Sequence, residues 1–308
     1  MIKLFTHTDL DGVSNTVLAY IVFSKQNVDV EYCNHTDIND KVNDFLNNAN
    51  IKNYQFVYIT DISVNDEVAQ KIDSICKENK NIEFKLFDHH PTAMDLNKYD
   101  WATIKVMLDE NKKNCGTKLF YDFLKSRTHI NQYIAISDFV ETVRKYDTWE
   151  WKEENFIWSK QLNDLLYIIG INDFVDEFYN TLIEQPIFAL SDFDYKLLNI
   201  KQKEIDNYVK SCNKRMKMYD ILGYKAGVVF AEQYSSEVGD KLCDMHPEID
   251  FCVIINMAGT ISYRSVGNKI DLGKDVAAVY GGGGHPNASG SPISDEIKDK
   301  IVNELFAQ

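Results

Sequence analysis

The clearest indication of the fold is the segment Glu83-Phe-Lys-Leu-Phe-Asp88-His89-His90-Pro91. Its first five residues predict a short strand, and that strand runs directly into an aspartate and two adjacent histidines. Two neighbouring histidines preceded by Asp88 have little structural use after a buried strand. The pattern therefore indicates that the carboxyl end of this strand carries chemistry.

Two earlier strands are predicted to end in the same type of residue. They deliver His7-Thr-Asp9-Leu-Asp11-Gly12 and Asp61. Taken alone, Asp9 is equally consistent with an N-cap in a strand-to-helix turn, and Asp61 is better explained as a loop former. Because three strand ends in one chain carry such residues, a shared metal site is the better explanation.

The first ninety residues alternate predicted strands with predicted helices. The strands are Ile2–Thr6, Val28–Cys33, Gln55–Thr60 and Glu83–Phe87, and the helices are Val13–Phe23, Ile38–Asn48 and Asn65–Glu78. Strands that alternate with helices predict an α/β fold with a mostly parallel sheet. Ligands of such sheets bind beyond the carboxyl ends of the strands. All three polar strand ends are therefore expected at one edge of the sheet.

The second half of the chain predicts a helical stretch and then a smaller α/β unit. After Gly116 the pattern turns helical, and Asp194–Met218 could form one long helix. From about residue 221 apolar runs return, with a predicted hairpin over 251–264 and a closing helix over Asp295–Phe306. We therefore predict a catalytic domain over 1–190, a helical linker over 191–220 and a substrate-binding domain over 221–308.

Charge and composition limit the partners. The chain has 33 Lys and Arg against 47 Asp and Glu, a formal net charge of −14, so it repels long polyanions and is not expected to track a long duplex. A lysine-rich segment, Lys201–Lys217, is more simply a solvated helix face than an electrostatic guide. No apolar run is long enough for a membrane span, and the N-terminal sequence lacks a signal-peptide layout. The six cysteines show no CxxC spacing, which favours a reduced, cytoplasmic location.

The residue types at the strand ends favour divalent metal ions. Several carboxylates and imidazoles cannot share a small space without a compensating cation, because mutual repulsion would protonate or expel some of them. Oxygen and imidazole ligands without thiolates suit Mn²⁺, Mg²⁺, Co²⁺ or Zn²⁺. An aspartate between two ions roughly 3.5–4 Å apart is the arrangement of two-metal hydrolases.

These motifs resemble the DHH phosphoesterases. The match runs, in order, through His7-x-Asp9-x-Asp11-Gly12, Asp61, Asp88-His89-His90 and Asp147, and the glycine run Gly281–Gly290 resembles the C-terminal DHHA1 domain of one branch. Within that branch the chain is similar to the nanoRNase B type of oligoribonuclease, as Arg144-Lys-Tyr-Asp-Thr-Trp-Glu-Trp151 and the helical insert indicate. The resemblance implies an N-terminal DHH domain, a helical linker and a C-terminal DHHA1 domain.

The resemblance implies six metal ligands and two further catalytic residues. The implied ligands are His7 and Asp9 for one ion, Asp11, His89 and Asp147 for the other, and Asp61 as a bridge. His90 would act beside the scissile phosphate, and Asp88 would orient the neighbouring histidine. One spacing departs from the family: many relatives place the first His four residues before the first Asp, whereas His7 precedes Asp9 by two. Two divalent ions are implied, usually Mn²⁺, with Co²⁺ or Mg²⁺ as alternatives.

The second domain is predicted to hold the substrate. Backbone N–H groups of Gly282, Gly283 and Gly284 could approach a phosphate, and Arg264 and His285 could contact phosphate or base. Three other histidines, His35, His129 and His246, lie in polar contexts and are predicted surface residues. Trp149 and Trp151 could stack on bases, although core packing is the stronger expectation.

The sequence thus predicts an exoribonuclease that degrades short single-stranded RNA to mononucleotides. One alternative keeps the chemistry but changes the substrate to cyclic or linear dinucleotides or 3′-phosphoadenosine 5′-phosphate. An alternative of another class is a nucleotide-binding regulatory module that has lost catalysis. Every motif position is filled, which argues against that loss.

Overall fold

The computed structural model describes residues 1–267 and 269–306, in two compact units that divide after Leu198. The first unit begins with five strands, which are β1 (Ile2–His7), β2 (Val28–Cys33), β3 (Phe56–Thr60), β4 (Glu83–Asp88) and β5 (Ala102–Ile104). Between them lie α1 (Leu10–Phe23), α2 (Ile38–Asn47) and α3 (Asp66–Glu78). All strand pairs are parallel and the order is β2-β1-β3-β4-β5, which confirms the predicted α/β fold.

Both faces of this sheet are buried, and alternation along the strands explains how. Leu4 belongs to the apolar cluster that includes α1, whereas Phe5 belongs to the cluster that includes α2 and α3. Tyr58 and Ile59 of β3 divide between the same two clusters. Successive side chains of a strand point to opposite faces, so a continuous apolar run fits a strand covered on both sides.

The strand order creates a crevice at the motif-bearing edge. The chain leaves β1 to build β2 on one side and later returns to build β3 on the other side. Thr6 pairs with Thr60, and Thr60 pairs with Phe87, so the carboxyl ends of β1, β3 and β4 are level. In open parallel sheets, ligands bind where the strand order reverses in this way. The three polar motifs follow these strand ends directly.

The middle of the chain is helical, as predicted. It consists of α4 (Gly116–Arg127), α5 (Ile134–Asp147), α6 (Glu150–Glu153), α7 (Ile157–Ile169), α8 (Ile171–Glu184) and α9 (Asp192–Arg215). Several of these helices bury apolar side chains against α1 and the sheet, including Phe120, Phe139 and Phe178. No helix within the described part of the chain has both the length and the apolar character needed to cross a membrane.

The second unit contains a six-stranded mixed sheet of order β10-β11-β9-β8-β7-β6. Its elements are β6 (Lys217–Ile221), β7 (Tyr224–Phe230), α10 (Ser235–Met245), β8 (Phe251–Asn256), β9 (Thr260–Arg264), β10 (Gly283–His285), β11 (Ala288–Pro292) and α11 (Asp295–Phe306). β8 and β9 form the predicted hairpin, and the closing helix has the predicted bounds.

One predicted helix is too long. The prediction extended it to Met218, but α9 ends at Arg215 and Lys217–Ile221 pairs with β7 as an antiparallel strand. The two strands are joined by Leu222 and Gly223, both with positive φ, which is the backbone of a tight hairpin turn. The apolar residues of β6 continue the helical spacing of α9, so the sequence pattern does not show where the helix ends and the strand begins.

Arg144 connects three segments of the first unit near Asp147. Its guanidinium is fully buried and donates to both carboxylate oxygens of Glu150 at 2.6 and 2.7 Å. It also donates to Glu141 of its own helix and to the Lys113 carbonyl. This network fixes α6 and the segment before α4 to the end of α5.

We expect Arg144→Ala to lower the free energy of unfolding by about 3 kcal/mol, because two carboxylates and a carbonyl lose their donor in a buried setting. Urea unfolding followed by circular dichroism measures this loss. The matched control is Arg127→Ala, whose half-exposed pair with Glu83 should contribute less than about 1 kcal/mol. Equal losses in the two variants would contradict the structural role of Arg144.

Candidate metal centre

The turn between β1 and α1 combines a helix cap with a candidate ligand. Asp9 is the N-cap of α1, and its Oδ1 accepts from the Gly12 backbone N–H at 2.9 Å. Its Oδ2 lies 2.9 Å from His7 Nδ1. Asp9 therefore caps the helix and also lies at the candidate site. A Cβ at Gly12 would lie 2.3 Å from the His7 carbonyl oxygen, so only glycine allows α1 to start this close to β1.

Asp11 is held by the N-terminus of a distant helix. The backbone N–H groups of Gly116 and Thr117 donate to its two carboxylate oxygens at 2.5 and 2.7 Å. The first N–H groups of a helix lack partners within that helix and favour negative charge. The carboxylate is thus fixed although it is almost fully buried. Gly116 and Thr117 were not predicted as site residues. In the sequence, the only feature that points to them is a glycine at the start of a helix.

Asp61 occupies an unusual backbone position after β3. Its φ is +59°, in the left-handed region that few residues other than glycine and asparagine adopt readily. A Cβ at Gly116 would lie 2.6 Å from the Asp61 Cβ, so glycine is needed for the two segments to meet. The strained turn directs a carboxylate that is only 1% exposed towards the histidines, with Oδ1 at 3.2 Å from His89 Nε2.

Asp88 positions the two histidines that follow it. Its Oδ1 accepts from the backbone N–H groups of His89 and His90 at 2.7 and 3.2 Å, and it lies 2.7 Å from His90 Nδ1. Its other oxygen accepts a short hydrogen bond from the Ser63 hydroxyl. The His90 ring is therefore tied down through Nδ1, which leaves Nε2 for contact outside the protein.

The predicted ligands come together in the first unit. His89 Nε2 lies 3.7 Å from Asp11 and 3.5 Å from Asp147, and His7 Nδ1 lies 3.9 Å from Asp61. Three groups have ligand atoms within 4.8 Å of one another: His7, Asp9 and Asp61; Asp11, His89 and Asp147; and Asp61, Asp88, His89 and His90. Asp61 belongs to the first and third groups. Its Oδ1 also lies 3.2 Å from Nε2 of His89, a member of the second group.

Burial and mutual repulsion shift the pKa values of these carboxylates. Burial, followed by the charges of Asp11 and Asp9, raises the pKa of Asp61 well above its ordinary value. The same causes raise the pKa of Asp147 to about 8. By contrast, the hydrogen bond to Asp88 raises the pKa of His90 and so favours its protonated form. Ionising all of these carboxylates together is therefore costly in the metal-free protein.

The geometry fits bound divalent metal ions. Within the described part of the chain, Asp61 Oδ2 and His89 Nε2 are buried polar atoms without a hydrogen-bond partner. Such atoms are costly unless a ligand satisfies them. A donor set of carboxylate oxygens and imidazole nitrogens, without thiolates, is suited to Mn²⁺, Mg²⁺ or related ions.

His35 is exposed, as predicted, and it also lies at this site. Its exposed ring has its centroid 5.1 Å from that of His7 and 6.0 Å from that of His90. It follows β2, which pairs with β1, so its position is at the same edge of the sheet. No spacing in the sequence links His35 to the other motifs, because only the strand order makes β2 and β1 neighbours.

Comparison with known proteins assigns the family. Oligoribonuclease NrnB of Bacillus subtilis (strain 168) is 33% identical to this chain over 308 residues, covering 99% of this chain and 76% of that protein. The chain belongs to the DHH phosphoesterase family. A scan against protein-family models finds no match.

Two further relatives agree with this DHH assignment. A 3′,5′-cyclic-nucleotide phosphodiesterase of Helicobacter pylori (strain ATCC 700392 / 26695) is 25% identical over 98% of this chain and 97% of that protein. RecJ from Thermus thermophilus, solved in complex with Mn²⁺, shares the fold with a TM-score of 0.54 at 12% identity, over 96% of this chain and 50% of that chain. This DHH protein is accordingly a metal-dependent phosphoesterase.

The remaining predicted site residues lie in the second unit. Ala288 of β11 pairs with His285 on one side and with Arg264 on the other, so these three residues stand level across the sheet. Gly283 and Gly284 belong to β10 at the sheet edge, and Gly282 precedes them. A Cβ at Gly282 would lie 2.0 Å from the Gly290 carbonyl oxygen, so close chain packing alone requires this glycine.

We expect Asp61→Asn to stabilise the metal-free DHH protein while removing its response to metal. Because the Asp61 pKa is raised, its stabilising contribution is complete below the ordinary carboxyl pKa and is lost as pH rises. Asparagine tolerates positive φ and cannot ionise. In EDTA, the melting temperature of the wild type should therefore fall more steeply with rising pH than that of the variant.

With Mn²⁺ the order should reverse, because the ion binds the folded wild type and raises its melting temperature by mass action. Asp122→Asn, at an exposed carboxylate paired with Lys118, is the matched control and should behave as wild type. A variant that keeps the full Mn²⁺-induced rise would show that Asp61 is not a ligand.

Proposed function

We propose that this phosphoesterase degrades short single-stranded RNA to mononucleotides, with two divalent ions, Mn²⁺ by preference, at the metal centre. The observation that carries the proposal is the group of motif side chains converging on Asp61, in a chain related over 99% of its length to an oligoribonuclease. A cytoplasmic location is part of the proposal, supported by six cysteines that are all free.

In this mechanism His7 and Asp9 would hold one ion, Asp11, His89 and Asp147 would hold the other, and Asp61 would contribute to both. Such ions supply Lewis acidity, which activates water and offsets charge on the phosphate. His90 contacts a phosphate oxygen or the leaving group through Nε2, because Nδ1 is engaged with Asp88 at 2.7 Å. The hydrogen bond to Asp88 raises the pKa of His90, which favours the protonated form that can donate.

The second unit supplies substrate binding in this proposal. The Arg264 guanidinium donates to the Tyr263 carbonyl and to the Ser236 hydroxyl at 2.9 and 2.8 Å. An arginine has five N–H donors, so further donors remain for a phosphate. The exposed His285 ring and the backbone of Gly283 and Gly284 at the sheet edge complete the proposed site, whereas the N–H of Gly282 already donates to the Ala277 carbonyl at 2.8 Å.

A second candidate substrate is a cyclic or linear dinucleotide. The relation to a 3′,5′-cyclic-nucleotide phosphodiesterase, over nearly the full length of both chains, supports a small nucleotide as substrate in place of RNA. 3′-Phosphoadenosine 5′-phosphate requires only the same phosphate chemistry. A panel of these substrates with Mn²⁺ separates the candidates by product analysis.

We expect activity to require Mn²⁺ and to peak with short RNA. Net charge of −14 gives no general attraction for polyanions, so contacts should saturate after a few nucleotides while repulsion grows with length. The measurement is kcat/KM for RNA of 2, 5, 12 and 24 nucleotides at two salt concentrations. Excess EDTA should abolish turnover. A steady rise with length, steepest at low salt, would instead indicate a basic track and a processive nuclease.

Gly239 should position Arg264 for this function. A Cβ at Gly239 of α10 would lie 2.5 Å from Arg264 Cγ, so the missing side chain makes room for the arginine stem. We expect Gly239→Ala to raise KM for a trinucleotide several-fold with a smaller change in kcat, as Arg264→Ala should.

Bis-p-nitrophenyl phosphate, which has no nucleotide to hold, should be hydrolysed by both variants with a smaller loss. The matched control is Asp244→Ala, at an exposed position of the same helix, and it should leave the hydrolysis of both substrates unchanged. Proportional losses on both substrates in Gly239→Ala would indicate a damaged fold and not a displaced arginine.

A further inference from the structure

A cavity of about 410 Å³ borders the metal centre within the first unit. The segments that follow β2, β3 and β4 line it, with His35, Asn39, Ser63, Asn65, His90 and Thr92 among the lining residues. Small-molecule sites in proteins span roughly 300–1,000 Å³, so the cavity has room for one nucleotide-sized group. Of these residues, the mechanism above uses only His90.

The walls of the cavity are fixed by hydrogen bonds. Asn39 Oδ1 accepts from the Asn65 backbone N–H at 2.8 Å, which joins α2 to the start of α3. The Ser63 hydroxyl donates to Asp88, which also holds His90. The same carboxylate therefore fixes the proposed catalytic histidine and one wall of the cavity. Such preorganised polar walls bind a ligand without a large ordering cost.

The charge of the lining selects a type of ligand. Asp66, Asp88 and Asp95 contribute to it, although Asp66 is paired with Lys98 at 2.9 Å, and the lining residues that the structure describes include no Lys or Arg. Such a surface disfavours a free phosphate. It favours groups rich in hydrogen-bond donors, such as ribose hydroxyls and base amino groups, because carboxylate and amide oxygens accept from them.

His35 provides an aromatic surface in the cavity lining. The centroid of its exposed ring lies 5.1 Å from that of His7 and 6.0 Å from that of His90. A ring in this position can contact a nucleobase while the phosphate attached to that nucleoside faces His90. Stacking of a base on an aromatic side chain contributes about 1–3 kcal/mol.

We infer that this cavity is a nucleoside subsite. It receives the ribose and base attached to the phosphate at the metal centre, and His35 contacts the base. The inference rests on the proposed function and adds to it a second nucleotide-binding element, formed entirely by the catalytic unit. This element lets the enzyme distinguish a nucleotide from a simple phosphate ester without help from Arg264 or His285.

The test uses AMP as an inhibitor of bis-p-nitrophenyl phosphate hydrolysis by the Mn²⁺-loaded enzyme, with inorganic phosphate as reference. Thr92 is exposed at the cavity wall, so Thr92→Phe should fill the cavity without disturbing the core. The inhibition constant of AMP should rise at least ten-fold, while that of inorganic phosphate changes less than two-fold. His35→Ala should also weaken AMP, with an unchanged Kd for Mn²⁺.

The matched control is Thr103→Phe, at an exposed threonine of β5 that does not line the cavity, and it should leave both inhibition constants unchanged. An AMP constant that is unchanged in Thr92→Phe would overturn the subsite. So would loss of AMP inhibition in Arg264→Ala alone, because AMP would then bind in the second unit.

Failure of the proposed function has a different signature. In that case the enzyme would still hydrolyse bis-p-nitrophenyl phosphate, and Thr92→Phe and His35→Ala would still weaken AMP binding. The dinucleotide pApA, however, would remain intact. This result would support the subsite and contradict RNA as the substrate.

Discussion

The repulsion among buried carboxylates is the constraint on which the rest of the first unit depends. Asp61 is almost fully buried beside Asp9 and Asp11, and burial with these charges raises its pKa. An isolated protein would avoid such an arrangement, because each uncompensated charge destabilises the fold. Bound cations would compensate these charges, and the buried atoms Asp61 Oδ2 and His89 Nε2, which have no hydrogen-bond partner, fit such ions.

The surrounding structure holds these charges in place. The N-terminus of α4 donates two backbone N–H groups to Asp11, and Gly116 allows the same helix to approach Asp61. The turn at Asp61 adopts a backbone conformation with positive φ, a type of strain that is common at functional sites. One helix start therefore fixes two of the proposed ligands, and the buried Arg144 network anchors α5 shortly before a third, Asp147.

The proposed separation of catalysis from substrate recognition follows the division into two units. The proposed metal ligands and His90 belong to the first unit, whose parallel sheet brings several strand ends to one edge. Arg264 and His285 belong to a mixed sheet in which glycines permit close packing of strands and of α10. An oligoribonuclease and a cyclic-nucleotide phosphodiesterase, two proteins named for different substrates, are both related to this chain over nearly its full length.

The alternation of strands and helices and the eight polar motif residues could be predicted from the sequence alone. Both are local properties: a strand has a period of two, and each motif directly follows its own strand or ends its own helix. Their convergence could be expected, because parallel strands end at one edge, and all eight lie together in the first unit.

The order of the strands, and the groups that hold each proposed ligand, are visible only in the tertiary structure. Asp11 and Gly116 are 105 positions apart, Gly239 meets Arg264 from another element, and His35 joins the site because β2 pairs with β1. The strand β6 also escaped the sequence analysis, because its apolar residues fit a helical period until pairing with β7 fixed their conformation. Such contacts arise from packing between distant segments, which no local pattern in the chain encodes.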